Sequence, residues 1–81
     1  MNTNDILTKL NGIAAQILQQ SDLRLTPDAY TMDIDGWDSL AHINIINQVE
    51  KEFEIKFKLS EFYKIDTIKS FCDIIMEKSA N

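Results

Sequence analysis

DSLAHINIINQVEKEFE, residues 38–54, is the stretch that decides the fold. Leu40, Ile43, Ile46, Val49 and Phe53 recur at intervals of three and four, which aligns them on one face of an α-helix. Asp38 or Ser39 stands where an N-cap belongs, because a short oxygen-bearing side chain accepts from the unpaired N–H groups of a first turn. The pattern predicts a helix from Asp38 or Ser39 to about Glu54, with those five apolar residues as its inner stripe.

Upstream, Ile6, Leu7, Leu10, Ile13, Ala14, Ile17 and Leu18 give a second amphipathic stripe over Asp5–Leu18. Thr3 or Asn4 is the expected cap, Asp5 suits the positive end of the helix dipole, and Gly12 costs about 1 kcal/mol relative to alanine. From Gln19 to Trp37 the period lapses into Ser21, Thr26, Pro27, Asp28, Thr31, Asp33, Asp35 and Gly36, which is loop chemistry. Leu23, Leu25, Tyr30, Met32 and Ile34 are the apolar anchors expected to pin it. Loops this long are uncommon unless they have a function or tuck their own side chains inward.

Downstream, Ile55 to Leu59 alternates apolar and basic residues as a short extended link, and residues 60–64 allow one or two helical turns. Asp66 or Thr67 then caps a last helix with the stripe Ile68, Phe71, Cys72, Ile75 and Met76, ending near Lys78. Two glycines and one proline are too few turn residues for a small β-sandwich or barrel. The fold class is all-α, with three main helices, one short helix and a long loop between the first two.

A chain of 81 residues, 44% hydrophobic, is sized for one domain over residues 1–81. Thirteen acids against eight bases give a net charge of −5, which disfavours nucleic acid and favours basic protein partners. No apolar run approaches the roughly 18 residues of a membrane span and no basic-then-apolar leader opens the chain, so a cytoplasmic protein without membrane contact is expected. One cysteine builds neither a disulfide framework nor a zinc site.

One histidine, one cysteine and scattered acids do not make a catalytic constellation, so no enzyme is expected. Cys72 lies in an inner stripe and reads as an inert core thiol. His42 precedes the inner Ile43 and has no second histidine or cysteine at ligand spacing, so a surface or partner-contacting role is expected. Asp33, Asp35 and Asp38 suggest a calcium loop, but Trp37 then stands at an oxygen-ligand position, Asp38 at the obligatory glycine and Asn44 at the bidentate glutamate. Asp33 and Asp35 are solvated loop acids on this reading. Ser39, at a helix start after a glycine turn, is either a cap or a residue on which an anionic ester is tolerated, because the helix N-terminus offers free N–H groups and a positive dipole end.

Gly36-Trp37-Asp38-Ser39-Leu40, with Ile43, Ile46, Val49, the run Glu50 to Ile55 and the segment Ile65-Asp66-Thr67-Ile68, resembles the modification motif and helical frame of acyl carrier proteins. The resemblance covers essentially the whole chain and implies a four-helix bundle. It also implies that a phosphopantetheinyl transferase joins Ser39 to 4′-phosphopantetheine from coenzyme A. Asp38 would then serve transferase recognition, by helping that enzyme place its metal. Cargo rides as a thioester on the arm and is delivered to acyl-loading and acyl-processing enzymes by a monomeric shuttle.

In that family the exposed side of the second helix meets basic patches on partners. Here Ala41, Asn44 and Lys51 replace expected acids or small apolar residues, so Leu40, Ala41, Asn44, Ile45 and Gln48 are expected to form a more neutral recognition face, with Glu52 toward the far end. Phe57, Phe62 and Phe71 crowd the region where carriers of long chains keep a cavity, so a short or polar cargo is expected. The alternative is an unmodified acidic helical interaction module, which gives no reason for Asp-Ser-Leu at a helix start. A DNA-binding three-helix domain needs a basic recognition helix, whereas residues 38–54 hold one lysine and four acids.

Overall fold

Asn2 starts the first helix. Its side chain accepts the Asp5 N–H at 2.9 Å while Asp5 Oδ2 accepts the Asn2 N–H at 3.3 Å, so two otherwise unpaired donors are satisfied reciprocally. In the computed structural model, which describes residues 2–79, α1 runs Thr3–Leu18, α2 Ser39–Phe53, α3 Leu59–Lys64 and α4 Ile68–Ser79. The cap of α1 thus lies one residue upstream of the expected Thr3 or Asn4, because only from Asn2 does Asp5 fall at the position that completes the pair. Of the two caps expected for α4, Thr67 fills the role: its Oγ1 accepts the Ser70 N–H and Ser70 Oγ accepts the Thr67 N–H, each at 3.1 Å.

The core is built from Ile6, Leu10 and Ala14 of α1, Ile45, Ile46 and Val49 of α2, and Ile68, Phe71, Cys72 and Ile75 of α4. α1 packs against both α2 and α4. No residue of α3 is fully buried, although Phe62 leans on the core from outside. α3 is held at its ends instead: Glu61 Oε1 accepts the Lys58 N–H at 2.7 Å and pairs with Lys78 of α4 at 2.7 Å. Lys78 and the Lys58 N–H hold the Glu61 carboxyl below its ordinary range.

α2 differs from the expected stripe in phase. Ile46 and Val49 are buried as expected and Phe53 is half-buried, but Leu40 and Ile43 are 68% and 44% exposed while Ala41, His42 and Ile45 face inward. Hydropathy favours Leu40 and Ile43 over Ala41 and His42. What overrides it is the attachment of His42 to Trp37, described below, which rotates the first turn so that Ala41 and Ile45 follow it into the core.

The loop from Gln19 to Asp38 is tied at three places. Asn11 Nδ2 donates to the Leu23 carbonyl at 3.0 Å and its Oδ1 accepts the Leu25 N–H at 2.7 Å. Gln20 Nε2 donates to the Asp35 carbonyl at 2.6 Å. Backbone bonds join Thr31 N–H to Asp66, Ile68 N–H to Ala29 and Lys69 N–H to Pro27, with an antiparallel bridge between Tyr30 and Thr67. Leu23, Leu25 and Ile34 pack inward, but the expected anchors Tyr30 and Met32 are 56% and 62% exposed. Their place is taken by the backbone bonds on either side of them. Among the described residues no helix is long and apolar enough to cross a membrane.

Candidate functional site

Gly36, at φ +83°, lets the chain reverse immediately before α2, with the Trp37 N–H bonded to the Ile34 carbonyl at 3.0 Å. A side chain there meets both that backbone conformation and Gln20 Nε2, which lies 3.3 Å from the place of a Cβ. Asp38 follows in extended conformation and caps α2: its Oδ1 accepts the Ala41 N–H at 2.9 Å. Asp38, rather than Ser39, is therefore the cap, which leaves Ser39 exposed as the first residue of the helix. The Ser39 and Leu40 N–H groups lie in the first turn, where an α-helix supplies no acceptor, so a phosphodiester on Ser39 meets free donors and the positive dipole end. The residues present fit such a group.

Beneath the serine lies a feature absent from the sequence reading. Trp37, 3% exposed, donates its indole Nε1–H to His42 Nδ1 at 3.0 Å. His42, 8% exposed, stacks edge-on against Phe62 of α3 with ring centroids 4.9 Å apart, and both Trp37 and His42 approach Phe71 of α4. Burial lowers the imidazole pKa from its ordinary 6.5, while the Phe62 backbone carbonyl pulls the other way. His42 is a core residue, not the surface one expected. The sequence did hold a signal: Trp37 and His42 flank the Asp38 cap at the two positions where a hydrophobic staple packs, and an indole N–H next to a glycine turn needs an acceptor.

The expected recognition face divides. Leu40, Asn44 and Gln48 are exposed on one side of α2 with Ile43 and Asn47 beside them. Ala41, 7% exposed, and Ile45, 0% exposed, belong to the core and are removed from that face. Glu52 lies about 120° around the helix from Leu40 and pairs with Lys9 of α1 at 3.6 Å. Asp33 and Asp35 are exposed in the loop as expected. Among the described residues no group of three or more His, Cys, Asp or Glu side chains is placed to hold a metal. Cys72 is buried, and burial with the neighbouring Asp73 charge pushes its thiol up to about 11. Between α2 and the 57–62 segment runs an open groove of about 330 Å³ lined by Ile43, Ile46, Asn47, Phe57, Leu59 and Phe62. Phe57 and Phe71 meet edge to face at 5.9 Å beside it.

The family model for the phosphopantetheine attachment site matches residues 8–75. The chain belongs to the acyl carrier protein family. It is 30% identical to an acyl carrier protein of Thermosynechococcus vestitus over 99% of both chains. It is also 31% identical to a segment of a non-reducing polyketide synthase of Emericella nidulans, over 89% of this chain and 3% of that one. The solution structure of a holo acyl carrier protein from Geobacter metallireducens superimposes with a TM-score of 0.85 at 35% identity, over 93% of this chain and 86% of that one. The resemblance first read in the Gly36–Leu40 motif and the all-α bundle are thereby shown, and with them the family's covalent 4′-phosphopantetheine and its role as carrier rather than catalyst.

Proposed function

We propose that Ser39 is the attachment residue and that residues 1–81 act as one cytoplasmic, monomeric shuttle. Ser39 Oγ attacks the β-phosphorus of coenzyme A, the bond to the 3′-phosphoadenosine phosphate breaks, and the hydroxyl proton passes to the phosphopantetheinyl transferase. Among the described residues no base accepts a hydrogen bond from Ser39 Oγ, so that enzyme supplies the catalysis. Asp38 keeps one carboxylate oxygen on the Ala41 N–H, and its other oxygen would be available to help the transferase place its metal. The observation that carries the reading is the exposed serine at the unpaired first turn of α2, within the matched attachment-site family. Acyl or related intermediates then ride as thioesters on the arm between acyl-loading and acyl-processing enzymes.

Those enzymes meet Leu40, Asn44 and Gln48, an uncharged surface on which apolar contact outweighs steering by charge. Glu52 joins only partners that reach around toward α1. The cargo is short or polar, because the buried Phe71 occupies the interior and Phe57 packs edge-on against it beside a groove that is open to solvent.

Intact-protein mass spectrometry after incubation with coenzyme A, magnesium and a broad-specificity phosphopantetheinyl transferase tests the reading. Wild type gains one phosphopantetheine and Ser39→Ala gains none while keeping its fold, since Asp38 and not Ser39 is the cap. No gain on wild type with several transferases defeats the proposal and makes the chain an unmodified interaction module.

A further inference from the structure

Trp37 and His42 form a buried polar link that attachment at Ser39 does not by itself require. The indole N–H is out of water, and His42 Nδ1 is its acceptor at 3.0 Å. Accepting at Nδ1 places the imidazole proton on Nε2, on the side of the Phe62 carbonyl. One ring thus bonds the turn two residues before Ser39 and packs edge-on against α3 at 4.9 Å.

We propose that His42 is the positioning residue of the carrier site, a clasp that holds the Ser39 turn and α3 as one unit by accepting from Trp37 and packing on Phe62. The proposal rests on the reading of Ser39 as the attachment residue. Because α3 buries no residue fully, this contact and the Glu61–Lys78 pair are principal ties between it and the rest of the bundle. Loss of the clasp frees α3 and loosens the presentation of the serine together.

Only the neutral imidazole makes both contacts. A proton on Nδ1 sets two donors against each other and breaks the bond from Trp37. The aromatic rings against the imidazole are Trp37 from the turn, Phe62 from α3 and Phe71 from α4, and none of them titrates. α1 turns Ile6, Leu10 and Ala14 into the core, and on α2 the Asp38 carboxylate one turn back is committed to the Ala41 N–H. Among the described residues no carboxylate forms an ion pair with His42, in keeping with the lowered pKa of its imidazole.

The test compares wild type with His42→Leu, His42→Gln and Trp37→Phe, reading phosphopantetheine transfer by a broad-specificity transferase, α3 amide exchange and the indole N–H resonance of the single tryptophan. His42→Leu and Trp37→Phe load about tenfold slower with helical content retained, while His42→Gln, whose amide oxygen accepts from the indole, recovers to within about twofold. Wild-type loading falls relative to His42→Gln as the pH passes down through the titration seen in the indole resonance. Wild-type rates in His42→Leu and Trp37→Phe, or equal losses in His42→Gln and His42→Leu, overturn the clasp. A wild type that never gains mass defeats the Ser39 reading alone. The clasp is then decided by α3 exchange, which speeds in His42→Leu but not in His42→Gln, and unchanged exchange in His42→Leu overturns it.

Discussion

Replacing Ile45 by alanine strips a side chain that is 0% exposed down to its Cβ. At about 0.8 kcal/mol per buried carbon the lost transfer energy is roughly 2.5 kcal/mol. Incomplete collapse of neighbours around the void raises the total to about 3–4 kcal/mol. A chain of this length has on the order of 5–10 kcal/mol in all, so the change removes a third or more of its stability. The matched control is Leu40→Ala, at a side chain 68% exposed, which shifts stability by less than about 0.5 kcal/mol. Urea unfolding followed by fluorescence of Trp37 measures both, because the only tryptophan is buried in the same core. With a slope near 1 kcal/mol per molar, the Ile45→Ala midpoint falls by roughly 3 M and the Leu40→Ala midpoint barely moves. A loss below about 1 kcal/mol for Ile45→Ala with a larger one for Leu40→Ala would restore the phase read from hydropathy and refute the packing described here.

Other consequences are as direct. Gly12→Ala stabilises the protein by up to about 1 kcal/mol in thermal or urea unfolding, since its Cβ would meet no atom within 4 Å. Gly36→Ala, at φ +83°, destabilises by about 1–2 kcal/mol in the same assay. His42 has a folded pKa below its unfolded 6.5, so its contribution is complete above that pH and is lost as pH falls from 6.5 toward the folded value. Urea midpoints at pH 7.5, 6.5 and 5.5 decline for wild type, and the part due to His42 is missing in His42→Gln. Cys72, with its thiol pushed up to about 11, resists alkylation at pH 8 in the folded protein and reacts once urea unfolds it, as mass spectrometry after iodoacetamide shows.

The helices were legible because α1, α2 and α4 each carry a stripe at helical spacing, and the scarcity of glycine and proline excluded the alternatives. The rotation of α2 was not legible. Leu40, Ile43, Ile45 and Ile46 fit two phases nearly equally, and the deciding contact joins residues whose hydropathy is modest, Trp37 and His42. Polar ties of the loop were hidden for a related reason. Asn11 sits mid-helix and reads as a surface amide, yet both ends of its side chain bond the backbone at Leu23 and Leu25. At the site, the choice between Asp38 and Ser39 as cap was open in the sequence and is settled by one bond to the Ala41 N–H.

The ties between the loop and the start of α4 also set an order of assembly. Pro27, Ala29 and Thr31 bond to residues that lie more than thirty positions later in the chain. Asn11 and Gln20 can tie the two ends of the loop locally, at Leu23, Leu25 and Asp35, but its middle gains its backbone partners only when Asp66 to Lys69 are in place. Ordering of residues 27–31 and of the start of α4 is therefore one event, and a substitution that unseats either one releases the other.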